Sequence, residues 1–264
     1  MYIEVHVYLI LLLSGNLIMT NTILCVKWGD KYDHTYVEKL KEQCEQNCSV
    51  PFNFYCLTDN PTKPYDIQLP TTWDAYYHAD RDFFWAYRKY YVFGLGNNNF
   101  LPEIEGEQFL LLDLDVRIHQ DLKYFFELPM DKPWIVRGWW NNLDTVKQNF
   151  AKHKSTPLNS SVIRWNRNQL KDVFDNINRN AEVIFFTYPS ADNYFNHHWY
   201  NIWDEDASFF QGFPQGDIYS WYKGNVYPDD MEKHKLRENM KICLYNNSGY
   251  GEGDSDDKLH KIYA

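Results

Sequence analysis

A stretch near the middle of the 264-residue chain, FLLLDLDVRI at positions 109–118, constrains the fold more than any other. Four apolar residues run directly into Asp113 and Asp115, which are separated by a single residue. A short apolar run bounded by polar residues predicts a strand that is buried on both faces of an α/β sheet. Ligands of open α/β sheets bind at the carboxyl ends of such strands, so we expect both aspartates at a ligand site.

The two carboxylates suit a metal ion. If the backbone stays extended, the i, i+2 spacing of Asp113 and Asp115 directs both side chains the same way. Two hard oxygen ligands with open positions left over suit Mg²⁺ or Mn²⁺ shared with substrate phosphates. A strand end that is simply capped by solvated aspartates is the competing interpretation.

Size and composition favour one large α/β domain that binds no nucleic acid. A chain of 264 residues can bury an ample core, and it contains no repeat or Gly/Ser linker. The formal net charge of −10 and the lack of a basic stripe argue against a nucleic-acid footprint. Aromatic residues form 18% of the chain, which suits either sugar-stacking surfaces or ordinary core filling.

The cysteines and the N-terminus bear on location. An odd count of five cysteines without a dense framework favours a reducing, cytoplasmic compartment. Residues 1–20 form an apolar extension ahead of the predicted domain at 21–264, whose C-terminal tail is polar and acidic. The run VYLILLL resembles a signal-peptide core, but Glu4 precedes it and no Lys or Arg does. Membrane association through a weak targeting segment and an upstream extension before Met19 both remain open.

The periodicity predicts alternating strands and helices. Strands are expected at 22–27, 52–57, 134–137, 158–165 and 241–245, and helices at 32–48, 83–95 and 166–177, with two short helices within 190–213. Strand, helix and strand at the start imply a right-handed parallel crossover. The loops at 28–32 and 58–60 are therefore expected to flank one pocket.

Several blocks occur in an order typical of a known family. ILCVKWGDKY, FYCLTDNP, RKYYVF, LLLDLDVRI, LNSSVIRW, DEDASFF, SWYKG and KICLYNNSG resemble successive blocks of GT-A glycosyltransferases, in particular the glycogenin-like group and its bacterial and viral relatives. The resemblance covers residues 22–249. It implies a single-domain GT-A fold, Rossmann-like with a mixed, mostly parallel sheet flanked by helices. It also implies transfer of a hexose from a nucleoside-diphosphate sugar, such as a UDP-sugar, to a glycan or other hydroxyl acceptor.

The resemblance also implies which residues hold the donor. Asp113 and Asp115 would coordinate the Mn²⁺ or Mg²⁺ that binds the donor diphosphate. The residues placed at the nucleotide base and ribose are Trp28, Gly29 and Tyr32, in the loop after the first strand, and Asp59, at the end of the second. Asp59 could equally be a turn residue that hydrogen-bonds its own backbone.

Further site residues follow from later blocks. Lys89 matches a basic residue that faces the diphosphate or donor sugar, although it could be a helix-surface charge. Asn159 and Ser160 match a block lining the donor-sugar and acceptor side. Asp204 and Glu205 match an acidic pair near the reacting sugar, although Asp204 could be a helix N-cap.

The end of the chain departs from the family pattern. Asn246 stands where the family has a metal-binding His, and an amide oxygen is the poorer ligand for a transition metal. Lys223 matches a lysine of the SWYKG block without a firm role. The departure motivates an alternative function, a non-catalytic glycan- or nucleotide-binding protein on a GT-A scaffold. The polar tail from Asn246 onward is expected to close over the pocket when the donor binds.

Overall fold

The computed structural model describes residues 20–76, 82–97, 100–139, 141–152, 156–222, 225–226 and 240–245, without the side chains of 82–86, 221–222 and 225–226. Its centre is a seven-stranded sheet in the order β3-β2-β1-β4-β7-β6-β8. The strands are β1 (Asn21–Lys27), β2 (Phe52–Thr58), β3 (Asp66–Gln68), β4 (Gln108–Leu112), β6 (Trp134–Arg137), β7 (Leu158–Asn166) and β8 (Gln211–Gly212).

All neighbouring strands of this sheet are parallel except the pairs that involve β7. Strand β7 runs antiparallel between β4 and β6. Its amino end therefore lies at the same edge as the carboxyl ends of β1, β2, β4 and β6. This mixed, mostly parallel sheet confirms the predicted fold class.

A second sheet has four strands in the order β10-β9-β11-β5. They are β5 (Val116–Ile118), β9 (Ile218–Tyr222), β10 (Asn225–Val226) and β11 (Ile242–Leu244). Only three residues separate the end of β4 from the start of β5, so the turn between them joins the two sheets.

Helices cover the sheets. The α-helices are α1 (His34–Gln46), α2 (Lys123–Phe126), α3 (Leu143–Gln148), α4 (Lys171–Thr187) and α5 (Ala191–His198), and the 3₁₀ segments are Asp74–Tyr76, Asp82–Gly94, Phe150–Lys152 and Glu205–Ala207. Helix α1 buries Tyr36, Val37, Leu40 and Cys44, which is the predicted apolar stripe.

Apolar clusters lie on both faces of the large sheet, and β4 passes between them. Leu110 and Leu112 belong to one cluster, whereas Phe109 and Leu111 belong to the other. Every residue of β4 is buried, as the continuous apolar run predicts. Burial on both faces explains why this strand shows no polar alternation.

Two local expectations were wrong. The backbone does not stay extended through the Asp-x-Asp triplet, because β4 ends at Leu112 and residues 114–115 form a turn. The helix expected from residue 166 begins at Lys171 instead. Asn168 adopts a φ of 67°, in the left-handed region, and this conformation ends the strand without starting a helix.

Within the described ranges, no helix is both long enough and apolar enough to cross a membrane. The apolar extension at residues 1–19 lies outside the described residues, as do Lys223, Asn246 and the rest of the tail.

Candidate functional site

A buried cation marks the edge of the sheet where β4 ends and β7 begins. The Lys89 ammonium lies 3.2 Å from both carboxylate oxygens of Asp113 and donates to the Ser160 carbonyl oxygen at 3.1 Å. Lys89 is only 6% exposed, so it is not a helix-surface charge. The Asp113 backbone N–H donates to the Ser161 carbonyl oxygen at 2.8 Å, which fixes β4 against β7 at this point.

Asp192, which the sequence analysis missed, joins this group. Its carboxylate accepts a hydrogen bond from the Ser160 backbone N–H at 3.0 Å. Burial raises its pKa above the ordinary value, the nearby Lys89 ammonium opposes this increase, and the Asp113 carboxylate adds to it. The Lys89 ammonium thus pairs with Asp113, and its charge also acts on the nearby Asp192 carboxyl group.

The signal for Asp192 in the sequence is weak. Ser190 caps α5 by accepting from the Asn193 N–H, and Asp192 follows in the first helical turn. An acidic residue in that position usually reports only a favourable interaction with the helix N-terminus. Its spatial neighbour Ser160 is 32 residues away along the chain.

The loops after β1 and β2 meet, as predicted. The Gly29 N–H donates to the Asp59 carboxylate at 2.7 Å. Gly29 has a φ of 59°, a conformation that glycine adopts without strain. Asp59 therefore holds the neighbouring loop rather than its own backbone through this bond. Trp28, just before Gly29, packs partly buried against the core.

Tyr32 connects this loop to the Asp-x-Asp turn. Its hydroxyl donates to the Asp115 carboxylate at 2.9 Å. Asp115 is 9% exposed, and its carbonyl oxygen accepts the Tyr245 N–H at 3.0 Å. The last described residue of the chain thus lies directly beside the second aspartate.

The donor chemistry of Asp113 and Asp115 fits a hard divalent cation. Magnesium is typically held by one or two carboxylates, with substrate phosphates and water completing its shell. The ammonium of Lys89 shows that Asp113 is placed to face positive charge. Among the described residues, no three His, Cys, Asp or Glu side chains gather as a metal site.

Glu205 and Asp204 lie farther along the same edge, at the end of β6. Glu205 pairs with Arg137, whose Nε lies 3.2 Å from the Glu205 carboxylate. Arg137 is 4% exposed and lies over the Trp139 ring at 4.7 Å. Burial, with the Glu205 charge next in size, raises the pKa of the Tyr200 hydroxyl. Asp204 accepts the Ala207 N–H and caps a 3₁₀ turn, as the simpler interpretation expected.

Asn159 lies between these two groups. Its side-chain oxygen accepts the Ser161 N–H at 2.9 Å, and its backbone pairs with Val136 of β6. Of the predicted site residues that are described, Lys89, Asp113 and Ser160 form one group, and Gly29, Tyr32, Asp59 and Asp115 form a second beside it. Asp204 and Glu205 belong to a third group around Arg137.

This fold is that of the GT-A glycosyltransferases, which confirms the expected resemblance. The structure is similar to that of a glycosyltransferase involved in glycosylation of the major capsid of PBCV-1, with a TM-score of 0.54 and 15% identity over 91% of this chain and 98% of that one. It is also similar to the galactosyltransferase LgtC, solved with donor and acceptor sugar analogs, with a TM-score of 0.54 and 11% identity over 85% and 87% of the two chains.

Mouse xyloside xylosyltransferase 1 is a third similar structure, with a TM-score of 0.51 and 10% identity over 86% of this chain and 98% of that one. No family model and no curated protein sequence matches the chain. The similarity to these structures is therefore one of fold and not of sequence.

Proposed function

We propose that the protein is a glycosyltransferase that moves a hexose from a nucleoside-diphosphate sugar, such as a UDP-sugar, to a glycan or other hydroxyl acceptor. In this reaction the bond between the anomeric carbon and the diphosphate oxygen breaks. A bond to the acceptor oxygen forms, and the acceptor hydroxyl loses its proton.

One observation carries the proposal: at the ligand edge of a GT-A sheet, Lys89 pairs with Asp113 and binds the Ser160 carbonyl, while Asp192 accepts from the Ser160 N–H. A structural ion pair has no need for a second carboxyl group held beside it by the same peptide segment. A cluster of partly buried charged groups at the ligand edge of an α/β sheet is typical of a functional site.

The residues along this edge have different roles in the proposed reaction. Trp28, Gly29, Tyr32 and Asp59 form the wall for the nucleotide base and ribose. Lys89 places a desolvated positive charge beside the departing diphosphate, where electrostatic stabilisation is strongest. Asp192 places a negative charge near the anomeric carbon, where positive charge develops as the glycosidic bond breaks. Asn159 and Ser160 line the sugar between these charges. We assign Lys223 no specific step.

Asp113 and Asp115 would hold Mg²⁺ or Mn²⁺, with Asn246 as an additional ligand. When bound, the metal neutralises charge on the nucleoside diphosphate as a Lewis acid.

A donor screen tests the proposal. Release of UDP or GDP from a set of nucleotide sugars is measured with Mn²⁺, Mg²⁺ or EDTA for the wild type, Asp113→Asn and Asp192→Asn. We expect both variants to lose about 10²-fold or more in turnover, the usual effect of removing one electrostatic group from an active site. Asp144→Asn, which alters an exposed aspartate on α3, is the matched control and is expected to behave as wild type.

Equal release by wild type and both variants would contradict the assigned site. Calorimetry with UDP distinguishes this enzyme from the alternative function, a non-catalytic protein on the same scaffold. Such a protein binds nucleotide without turning over any donor.

A further inference from the structure

Two exposed tryptophans border the Arg137–Glu205 pair. Trp139 is 37% exposed and Trp203 is 61% exposed, which is unusual for so large an apolar side chain. Both belong to segments that meet at the carboxyl end of β6. Trp139 lies two residues after the end of that strand, and Trp203 lies two residues before Glu205.

Both rings are held in place. The Trp139 indole N–H donates to the Phe213 carbonyl oxygen at 3.1 Å, and the Arg137 guanidinium lies against its ring. The Trp203 ring packs edge-on against Phe150, with centroids 4.8 Å apart. A ring that is fixed yet exposed offers a flat surface at little cost in conformational entropy.

A charged group is fixed beside these rings. The Glu205 side chain remains 35% exposed while the buried Arg137 holds its carboxylate. A few placed polar groups beside aromatic surface are the usual composition of a small-molecule site. An aromatic face packs against the apolar face of a sugar ring, while a fixed carboxylate accepts hydrogen bonds from sugar hydroxyls.

The position of this group along the sheet indicates which substrate it meets. The strand order places β6 on the far side of β7 from β4, so that Arg137 and Asp113 are separated by two strand spacings, about 10 Å. The nucleotide loops after β1 and β2 lie on the opposite side of β4. The group therefore faces the substrate that arrives from the side away from the nucleotide.

The charge of the surrounding protein surface indicates which kind of acceptor can bind. Asp204, Glu205 and Asp206 are consecutive. Arg137 pairs with Glu205, and the Lys132 ammonium donates to the backbone carbonyl oxygen of Asp206. With two cations beside three carboxylates, this segment keeps a net negative charge. A sialylated or phosphorylated acceptor would meet like charge here.

We propose that Trp139, Trp203 and Glu205 form the acceptor subsite, and that this subsite takes the terminal ring of a neutral saccharide. The inference rests on the proposed function, because it assigns the acceptor of that reaction.

Two readouts on the full chain test it. Saturation-transfer NMR measures binding of lactose, maltose, cellobiose, 3′-sialyllactose and a serine-containing peptide. Transfer to each is compared with donor hydrolysis by water, so that loss of the acceptor subsite is separated from loss of donor chemistry. The variants are Trp139→Ala, Trp139→Phe and Trp203→Ala. The control is Phe186→Ala, which alters an aromatic side chain on α4 that is 62% exposed.

We expect binding of at least one neutral disaccharide, and a fall of about tenfold in its ratio of transfer to hydrolysis in Trp139→Ala. Trp203→Ala, at the more exposed position, lowers the same ratio, Trp139→Phe restores most of it, and Phe186→Ala keeps it. The inference is overturned if no neutral disaccharide binds, if the sialylated sugar or the peptide is preferred, or if Trp139→Ala keeps the wild-type ratio. Absence of hydrolysis with every donor would instead count against the proposed function, and the NMR comparison would still decide the subsite.

Discussion

At the scale of single residues, the site is defined by a buried lysine that pairs with one carboxylate and lies near a second. Lys89 contacts Asp113 directly, and Asp192 lies close enough for its pKa to respond to both. A single positive charge cannot fully compensate two negative ones in a partly desolvated site. Ionisation of Asp192 therefore lowers the stability of the folded protein.

The cost of ionising Asp192 predicts that the free energy of unfolding depends on pH. The pKa of Asp192 is raised in the folded state, so its contribution to stability is full below the unfolded value of about 3.8 and is lost as pH rises through the folded pKa. Asp192→Asn removes the effect. We expect the free energy of unfolding of this variant, relative to wild type, to rise as the pH increases from about 3.8 and to level off above the folded pKa, as measured in urea titrations. A difference that does not change with pH would mean that Asp192 titrates normally.

Lys89 and Asp113 are expected to be energetically coupled. Lys89→Met leaves the Asp113 carboxylate beside Asp192 without its cation, and Asp113→Asn removes one of these two negative charges. In a double-mutant cycle we expect a coupling free energy on the order of 1 kcal/mol, modest because the Asp113 side chain is 29% exposed. Chemical denaturation of the four proteins measures it, and additive effects would show that the contact is not formed in solution.

At the scale of elements, periodicity predicted six of the eleven described strands, but not β3, β5, β8, β9 and β10, nor the contacts between distant segments. The apolar run of β4 and the crossover from β1 through α1 to β2 are local patterns, and they fixed the position of Asp113 at the ligand edge. The place of Asp192 depends on packing between α5 and β7, which no local pattern encodes. Glu205 was assigned to the site through the family resemblance, whereas no sequence block identified Asp192.

The N-cap of α5 connects helix stability to the site. Ser190 accepts the Asn193 N–H at 3.2 Å, and Asp192 lies within the same turn. Ser190→Ala is expected to cost about 1 kcal/mol of stability and to loosen Asp192, thereby lowering turnover as well. Asn142→Ala at the N-cap of α3 is the matched control, because Asn142 makes the same kind of bond to the Thr145 N–H at 3.0 Å.

Denaturation curves and donor turnover are compared for both cap variants. We expect similar losses of stability and a loss of turnover confined to Ser190→Ala. Parallel losses of turnover in both would show that α5 has no special connection to the reaction.

At the scale of the whole molecule, the rates at which the cysteines react show whether the two sheets unfold together. Cys25, Cys44 and Cys56 are fully buried at the large sheet, and Cys243 is 1% exposed in the small one. Burial raises the pKa of the Cys25 and Cys44 thiols, so neither is a reactive thiolate in the folded protein.

We expect thiol reagents to modify Cys48, which is partly exposed, long before the four buried thiols. If the chain is one cooperative domain, Cys25 and Cys243 should then react at rates within about threefold of each other, because both await the same global opening. Mass spectrometry after timed labelling measures these rates, with Cys48→Ser as the control that removes the fast phase. A much faster rate at Cys243 would mean that the small sheet opens by itself.

The way in which Ser160 takes part in the site has a consequence for evolutionary change. Its backbone N–H and carbonyl meet Asp192 and Lys89, and the carbonyl of the next residue meets the backbone of Asp113. A peptide group presents the same donor and acceptor whatever side chain it carries, proline excepted. Mutations can therefore change the side chains along β7 while the backbone donor and acceptor groups at the sheet edge stay the same. Related proteins with this arrangement can lose sequence similarity and still share the fold.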